Sequence, residues 1–185
     1  MYYIIGLTGR NAAGKGTIAD LLIKRKFIYH SLSDTLRDEL NKRKMEESRD
    51  NLILIGNKLR TQGGPGVLAD LMVKKLSTLD NHIVDSIRNP SEVHSLRRDY
   101  SEHKFFLISI DADPRVRFER LKKRDRKGDS NSWEQFIHQE KLEEASDDPN
   151  KQQLFATIKE ADYNIDNSSS LTDLEKKLSL IIDKL

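Results

Sequence analysis

A chain of 185 residues, 36% of them hydrophobic, is long enough to bury about 70% of the surface its unfolded form exposes, and one domain over residues 1–185 is expected. Lys and Arg number 32 against 30 Asp and Glu, a formal charge of +2, so no polycationic nucleic-acid binder is expected and any cationic site must be local. The absence of cysteine excludes disulfides, thiol nucleophiles and thiolate metal ligands; no apolar run approaches the ~20 residues that span a bilayer, MYYIIG lacks the basic lead of a signal peptide, and the expected location is the cytoplasm.

In chain order, YYIIGLT reads as a strand and TIADLLIKR as a helix with Ile18, Leu21 and Leu22 on one face. FIYHSLS is a second short strand or loop, and DTLRDELNKRK an amphipathic helix with Ser33 or Asp34 as its cap. NLILIGNKLRTQ predicts a helix ended by GGPG, and VLADLMVKKLSTL another. NHIVDSI has the apolar run of a buried strand, and NPSEVHSLRRDY follows as a helix with Pro90 in its first turn. KFFLISIDAD is the most apolar strand; PRVRFERLKKR opens the next helix on a proline. The polar stretch DRKGDSNS precedes helices from about Trp133 and at KQQLFATIKEA, a last strand DYNIDN, and a C-terminal helix LTDLEKKLSLIIDKL. Strands separated by helices predict the α/β class, with about five parallel strands covered on both faces.

The stretch GLTGRNAAGKGT joins the first strand to the first helix. A phosphate tail is held by a ring of backbone N–H groups above a helix N-terminus, and side chains would block that approach. Gly9, Asn11, Ala12, Ala13, Gly14, Lys15, Gly16 and Thr17 are therefore expected to bind nucleotide, with Lys15 reaching the β and γ phosphates. Gly16 departs from the phosphate-loop pattern, which asks for Ser or Thr there; Thr17 supplies the first hydroxyl. Asp85, at the carboxyl end of the strand in IVDSIRNP, is expected to act with Thr17 in ordering magnesium, the alternative being a helix N-cap.

Arginines on three stretches suggest a second anion site: Arg37 in SLSDTLRDEL, Arg60 in GNKLR and Arg88 in VDSIR. Each could instead be a surface helix arginine, although few arginines have a structural reason to follow a strand end as Arg88 does. Arg117, Arg120 and Arg124 recur on one helix face, and Arg126 lies in the polar loop beyond; a lid over about 117–132 would bring such arginines onto the developing charge of phosphoryl transfer. A solvated basic helix is the alternative. The five histidines, His30, His82, His94, His103 and His138, show no metal spacing, and most read as solvated or capping residues. GNKLR lacks the aspartate of a guanine-reading motif, NSS at Asn167 reads as a turn rather than a glycosylation site, and Trp133 as an anchor for the helix after the lid.

With these residues in view, the chain resembles the adenylate-kinase-like nucleoside and nucleotide kinases over most of its length. AAGKGTIA is similar to that group's phosphate loop, SLSDTLRDE to its monophosphate-binding segment, IVDSIR to its strand with a following acceptor-binding arginine, and ERLKKRDR to its lid start. The tail EADYNIDNSSSLTDLEKKL looks like that of dephospho-coenzyme A kinases and of kinase-like domains fused to deoxycytidylate deaminases. The resemblance implies a three-layer α/β/α P-loop NTPase fold, acceptor-binding helices over about 33–79, ATP and Mg2+ as cofactors, and a nucleotide monophosphate as acceptor. It implies catalytic roles for Lys15, Arg88, Arg120, Arg124 and Arg126, nucleotide contacts from Arg120 and Asn167, and an acceptor site of Asp34, Arg37, Arg60, Asp85 and Arg88. DSIRNP in place of the usual Gly-Phe-Pro-Arg, and a lid cut to DRKGDSNS, separate the chain from orthodox adenylate kinases. The expected activity is transfer of the ATP γ-phosphoryl group to a ribo- or deoxynucleoside monophosphate. Two alternatives stay open: phosphorylation of a hydroxyl, as in dephospho-coenzyme A, with Asp34 as base, and a slow ATPase accessory factor.

Overall fold

The computed structural model describes residues 2–77, 79–100, 104–124, 132–144, 148 and 150–185. Its sheet has five strands, all parallel: β1 (Ile4–Gly9), β2 (Ile28–Ser31), β3 (His82–Asp85), β4 (Phe105–Asp111) and β5 (Tyr163–Asp166), in the spatial order β2-β3-β1-β4-β5. β1 is buried at every position, as an apolar run covered on both faces must be.

Alternate residues along the strands divide the core. Ile5, Leu7, Ile83, Ile108 and Ile110 pack against Ile18, Ala19 and Leu22 of α1 (Lys15–Ile23) and Leu174, Leu178 and Ile181 of α9 (Leu171–Ile182). On the opposite face Ile4, Val84, Phe105 and Leu107 meet α4 (Val67–Val73) and α5 (Pro90–Asp99) through Leu68, Ala69, Met72, Val93 and Leu96. The result is the expected three-layer α/β/α arrangement.

β1 lies between β3 and β4, so the chain winds away from it in both directions and leaves a crevice at its carboxyl end. The remaining helices are α2 (Leu32–Lys42), α3 (Arg49–Gly63), α6 (Pro114–Arg124), α7 (Trp133–Glu144) and α8 (Leu154–Lys159). No helix among the described residues is long and apolar enough to cross a membrane.

Boundaries differ from the sequence reading where local hydrogen bonds decide them. Ser31, not Ser33 or Asp34, caps α2: its Oγ accepts from the Ser33 N–H at 3.2 Å, while Asp34 stands three positions in and returns Oδ2 to the Ser31 N–H at 3.2 Å. Asn89 and Glu92 form the same reciprocal cap on α5, so Asp85 is not that helix's cap. α4 stops at Val73 and α8 covers only Leu154–Lys159, both shorter than the apolar pattern predicted.

Candidate phosphate-loop site

The turn from β1 into α1 uses backbone that L-residues adopt with strain: φ is 134° at Gly9, 57° at Ala12 and 110° at Gly14. Gly14 caps α1 without a side-chain hydrogen bond, which leaves the helix's first N–H groups available to an anion. Lys15 Nζ folds back on the loop and donates to the carbonyls of Gly9 at 2.7 Å and Arg10 at 2.9 Å. Burial, then the Arg88 guanidinium, pushes its ammonium down to about 8; Arg124 and Arg117 act in the same direction and the Asp85 carboxylate opposes them. Groups at and just beyond the end of β3 and on α6 therefore act electrostatically on this lysine.

The far end of the chain clasps the loop. Asn167 Nδ2 donates to the Ala13 carbonyl at 2.8 Å, and its own N–H donates to the Asp111 carbonyl at 2.7 Å. Arg120, from α6, donates to the Asn167 carbonyl at 2.8 Å and reaches the Ala13 carbonyl at 3.4 Å. Arg124, one turn on, lies 3.4 Å from Asn11 Oδ1. Asn167 is 5% exposed, which removes it as a glycosylation site.

At the end of β3, Asp85 is 8% exposed; its Oδ1 accepts from the Ser86 N–H at 2.6 Å and its Oδ2 from the Tyr29 hydroxyl at 3.0 Å. Burial and that carboxylate raise the Tyr29 phenol above its ordinary range. The three proposed acceptor arginines have different surroundings. Arg60 is 4% exposed and donates to Glu92 Oε1 at 2.8 Å, while Glu92 Oε2 accepts from the backbone N–H groups of Arg88 at 2.8 Å and Asn89 at 3.1 Å. Glu92 is fully buried, so Arg60 reaches the segment that carries Arg88 through a carboxylate rather than presenting an open fork.

The Arg88 guanidinium lies 3.4 Å from Gln152 Oε1, and its carbonyl accepts from the Gln153 N–H at 2.8 Å. Arg37 is half-exposed and bridges Asp34 Oδ1 at 2.7 Å and Glu47 Oε1 at 2.8 Å; these carboxylates hold its guanidinium above the usual range.

Arg117 turns away from the expected lid face. It is 1% exposed, donates from Nε to the Ala112 carbonyl at 2.8 Å, and forks onto both Glu140 oxygens, fixing α7 to α6. Its fork, with the Arg10–Asp111 ion pair and Lys141, lines a cavity of about 270 Å³ beside the loop. Arg126, with the rest of residues 125–131 of the expected lid, lies outside the described residues.

Trp133 packs on Phe118 and Phe136 with Arg115 3.8 Å above its ring, in the anchoring position expected. His82 is buried rather than solvated: it is 2% exposed, 3.1 Å from His30 and 3.0 Å from the Ser77 carbonyl. No pattern in the sequence marks Tyr29 or Glu140, because each acquires its role through a partner distant in sequence; Asn89 and Glu92 have the spacing of a capping box, but nothing local points Glu92 to Arg60.

The residues fit a magnesium nucleotide. A Cβ built at Gly16 meets no atom within 4 Å, so the loop's mouth is open, and the α1 N-terminus is uncapped by side chains. Among the described residues no cluster of three metal-ligating side chains exists. A hydroxyl and a carboxylate, Thr17 and Asp85, suit a hard cation that takes one or two protein oxygens and completes its shell with phosphate and water.

Residues 5–138 match the AAA domain family. The chain is 31% identical to the UPF0200 protein of Pyrococcus abyssi over 186 aligned positions, covering 98% of this chain and 96% of that one. It is 28% identical to the UPF0200 protein of Pyrococcus horikoshii, with 98% and 97% covered. Its fold is similar to a shikimate kinase from Bacteroides thetaiotaomicron, with a TM-score of 0.58 at 14% identity, covering 98% of this chain and 97% of that one. It is also similar to a gluconokinase from Sinorhizobium meliloti, with a TM-score of 0.56 at 13% identity and 98% and 94% covered. With its glycine-bearing turn between β1 and α1 and the α/β/α fold of the P-loop kinases, the chain belongs to the AAA domain family and to the UPF0200 proteins.

Proposed function

We propose that the chain is an ATP-dependent phosphotransferase acting on a nucleoside monophosphate. One observation carries the reading: the uncapped N-terminus of α1 and the left-handed β1–α1 turn hold Lys15 Nζ on the Gly9 and Arg10 carbonyls, while Asn167 and Arg120 brace the same turn at Ala13. Phosphoryl transfer asks the protein mainly for positioning and for cations around the phosphates. An oxygen of the acceptor phosphate forms the new bond to Pγ as the bond from Pγ to the β–γ bridging oxygen breaks, and that oxygen leaves with the electron pair as part of ADP. An acceptor phosphate is anionic near neutral pH, so no protein base is required. In this reading Lys15, Gly9, Asn11, Ala12, Ala13, Gly14, Gly16 and Thr17 hold the donor phosphates, and Arg120 and Asn167 border the donor nucleotide. Arg88 and Arg37 face the acceptor, and Arg60 holds Arg88's segment through Glu92. Thr17 and Asp85 would hold magnesium, which when bound neutralises charge on the transferred group.

A second reading has a specific observation behind it. Asp34 is paired to Arg37 beside the β2 end, and two fold neighbours are named for acceptors that are not nucleotides. If the acceptor is a hydroxyl, Asp34 is the candidate base.

The test is incubation with ATP-Mg and a panel of ribo- and deoxynucleoside monophosphates, dephospho-coenzyme A, shikimate and gluconate, following ADP and phosphorylated product, with Lys15→Ala as the blank. A monophosphate-dependent signal lost in the blank is the expected result. Asp34→Asn keeps an oxygen for the Ser31 N–H; it should weaken monophosphate binding with little change in kcat, whereas loss of kcat on a hydroxyl acceptor would transfer the assignment to the second reading.

A further inference from the structure

We infer that Tyr29 is a positioning residue for the magnesium site, aiming the Asp85 carboxylate from the edge of the sheet. The inference rests on the proposed kinase reading. Parallel register aligns Ile5 of β1, Ile83 of β3 and Tyr29 of β2, and Ile5 and Ile83 are buried in the core cluster with α1. Tyr29 therefore stands on the α1 face of the sheet, and Asp85, two residues beyond Ile83, shares it because side chains alternate along a strand. That face is covered by the helix whose first turn contains Thr17.

Both carboxylate oxygens are anchored by donors from outside the loop: Oδ2 by the phenol at 3.0 Å, Oδ1 by the Ser86 N–H at 2.6 Å. Ser86 adopts φ 67°, a left-handed conformation that a non-glycine residue seldom takes, where the N–H turns back onto Asp85. Two anchors fix the carboxylate plane and leave its other lone pairs for a cation or its water. Tyr29 is 41% exposed on an edge strand, where phenylalanine would serve packing alone; the hydroxyl is the part directed at a buried charge. Outer partners of this kind set the orientation of a metal-binding carboxylate.

The experiment compares the full-length protein with Tyr29→Phe and Asp85→Asn. A fluorescent ATP analogue is titrated in excess EDTA, and Mn2+ is then titrated into the nucleotide complex with its electron paramagnetic resonance signal as readout. Expected for Tyr29→Phe are unchanged metal-free nucleotide affinity and Mn2+ binding weakened about tenfold or more. Asp85→Asn should weaken Mn2+ at least as much. Normal Mn2+ binding by Tyr29→Phe beside a weakened Asp85→Asn overturns the role of Tyr29 and leaves the kinase reading standing. Tyr29→Phe that loses metal-free nucleotide affinity as well shows a merely structural contact and overturns it too. If Asp85→Asn binds Mn2+ normally, the metal role of Asp85 and this inference fall together. If the analogue does not bind the unaltered protein, the kinase reading itself fails.

Discussion

Gly14 and Gly16 stand two positions apart and make opposite demands on a side chain. A Cβ at Gly14 would lie 2.2 Å from Asn167 Nδ2, on backbone with φ +110°; one at Gly16 would meet nothing within 4 Å, on ordinary helical backbone. Gly14→Ala should therefore destabilise the fold by about 1–3 kcal/mol and abolish ATP binding, because the strain is local and the Asn167 clasp must open. Gly16→Ala should stabilise it by about 0.5 kcal/mol through reduced unfolded-state freedom. Urea unfolding midpoints of the two variants, with ATP titration, check both signs. The glycine pattern was legible in the sequence, but its division of labour was not: the atom that crowds Gly14 belongs to a residue far along the chain.

At the scale of elements, the Arg60–Glu92 ion pair ties α3 to α5. Glu92 accepts from one nitrogen of the Arg60 guanidinium and from two backbone N–H groups in a fully buried position. Glu92→Gln leaves a buried cation without its counter-charge, a change that costs about 3–5 kcal/mol where such pairs are broken. In a chain of this size that is a melting-temperature loss of roughly 6–20 °C. Adding Arg60→Met removes the stranded cation and should recover part of the loss, which thermal melts of the single and double variants would show.

Helices and strands were readable because apolar spacing is a local property, and β1, α1, β3, α5, β4, α6, β5 and α9 fall where spacing predicts them. Arg60 could not be distinguished from an acceptor arginine, since its partner lies 32 positions away on another helix. Arg117 was misread for the same reason: helical periodicity puts it on a face with Arg120 and Arg124, but Glu140 of α7 draws it inside.

For the whole molecule, the site is a point where ligand, proton and fold are linked. ATP-Mg at about 100 times its Kd should add about 2.7 kcal/mol. In melting temperature that is roughly 5–11 °C. Lys15→Ala should show none of it. The increment should shrink above pH 8. Lys15 in the free protein titrates near 8, below its ordinary 10.5, so between those values the unfolded chain keeps a proton that the folded one has released. That group therefore favours the nucleotide-free fold as pH rises through 8, whereas phosphates require the charged lysine and must draw the proton back. Melts at pH 7 and pH 9, with and without ATP-Mg, measure the difference. Strand order was only partly legible: alternation of strands and helices implied parallel pairing, but which strand sits beside β1 is decided by contacts between residues far apart.

The Asn167–Ala13 hydrogen bond spans 154 positions, so the loop written first is finished almost last. On a ribosome adding about 5–20 residues per second, the phosphate loop would emerge roughly 8 to 30 s before the asparagine that braces it. On the proposed kinase reading, nucleotide competence in the nascent chain would be timed by translation, and ATP binding would report that synthesis has passed β5.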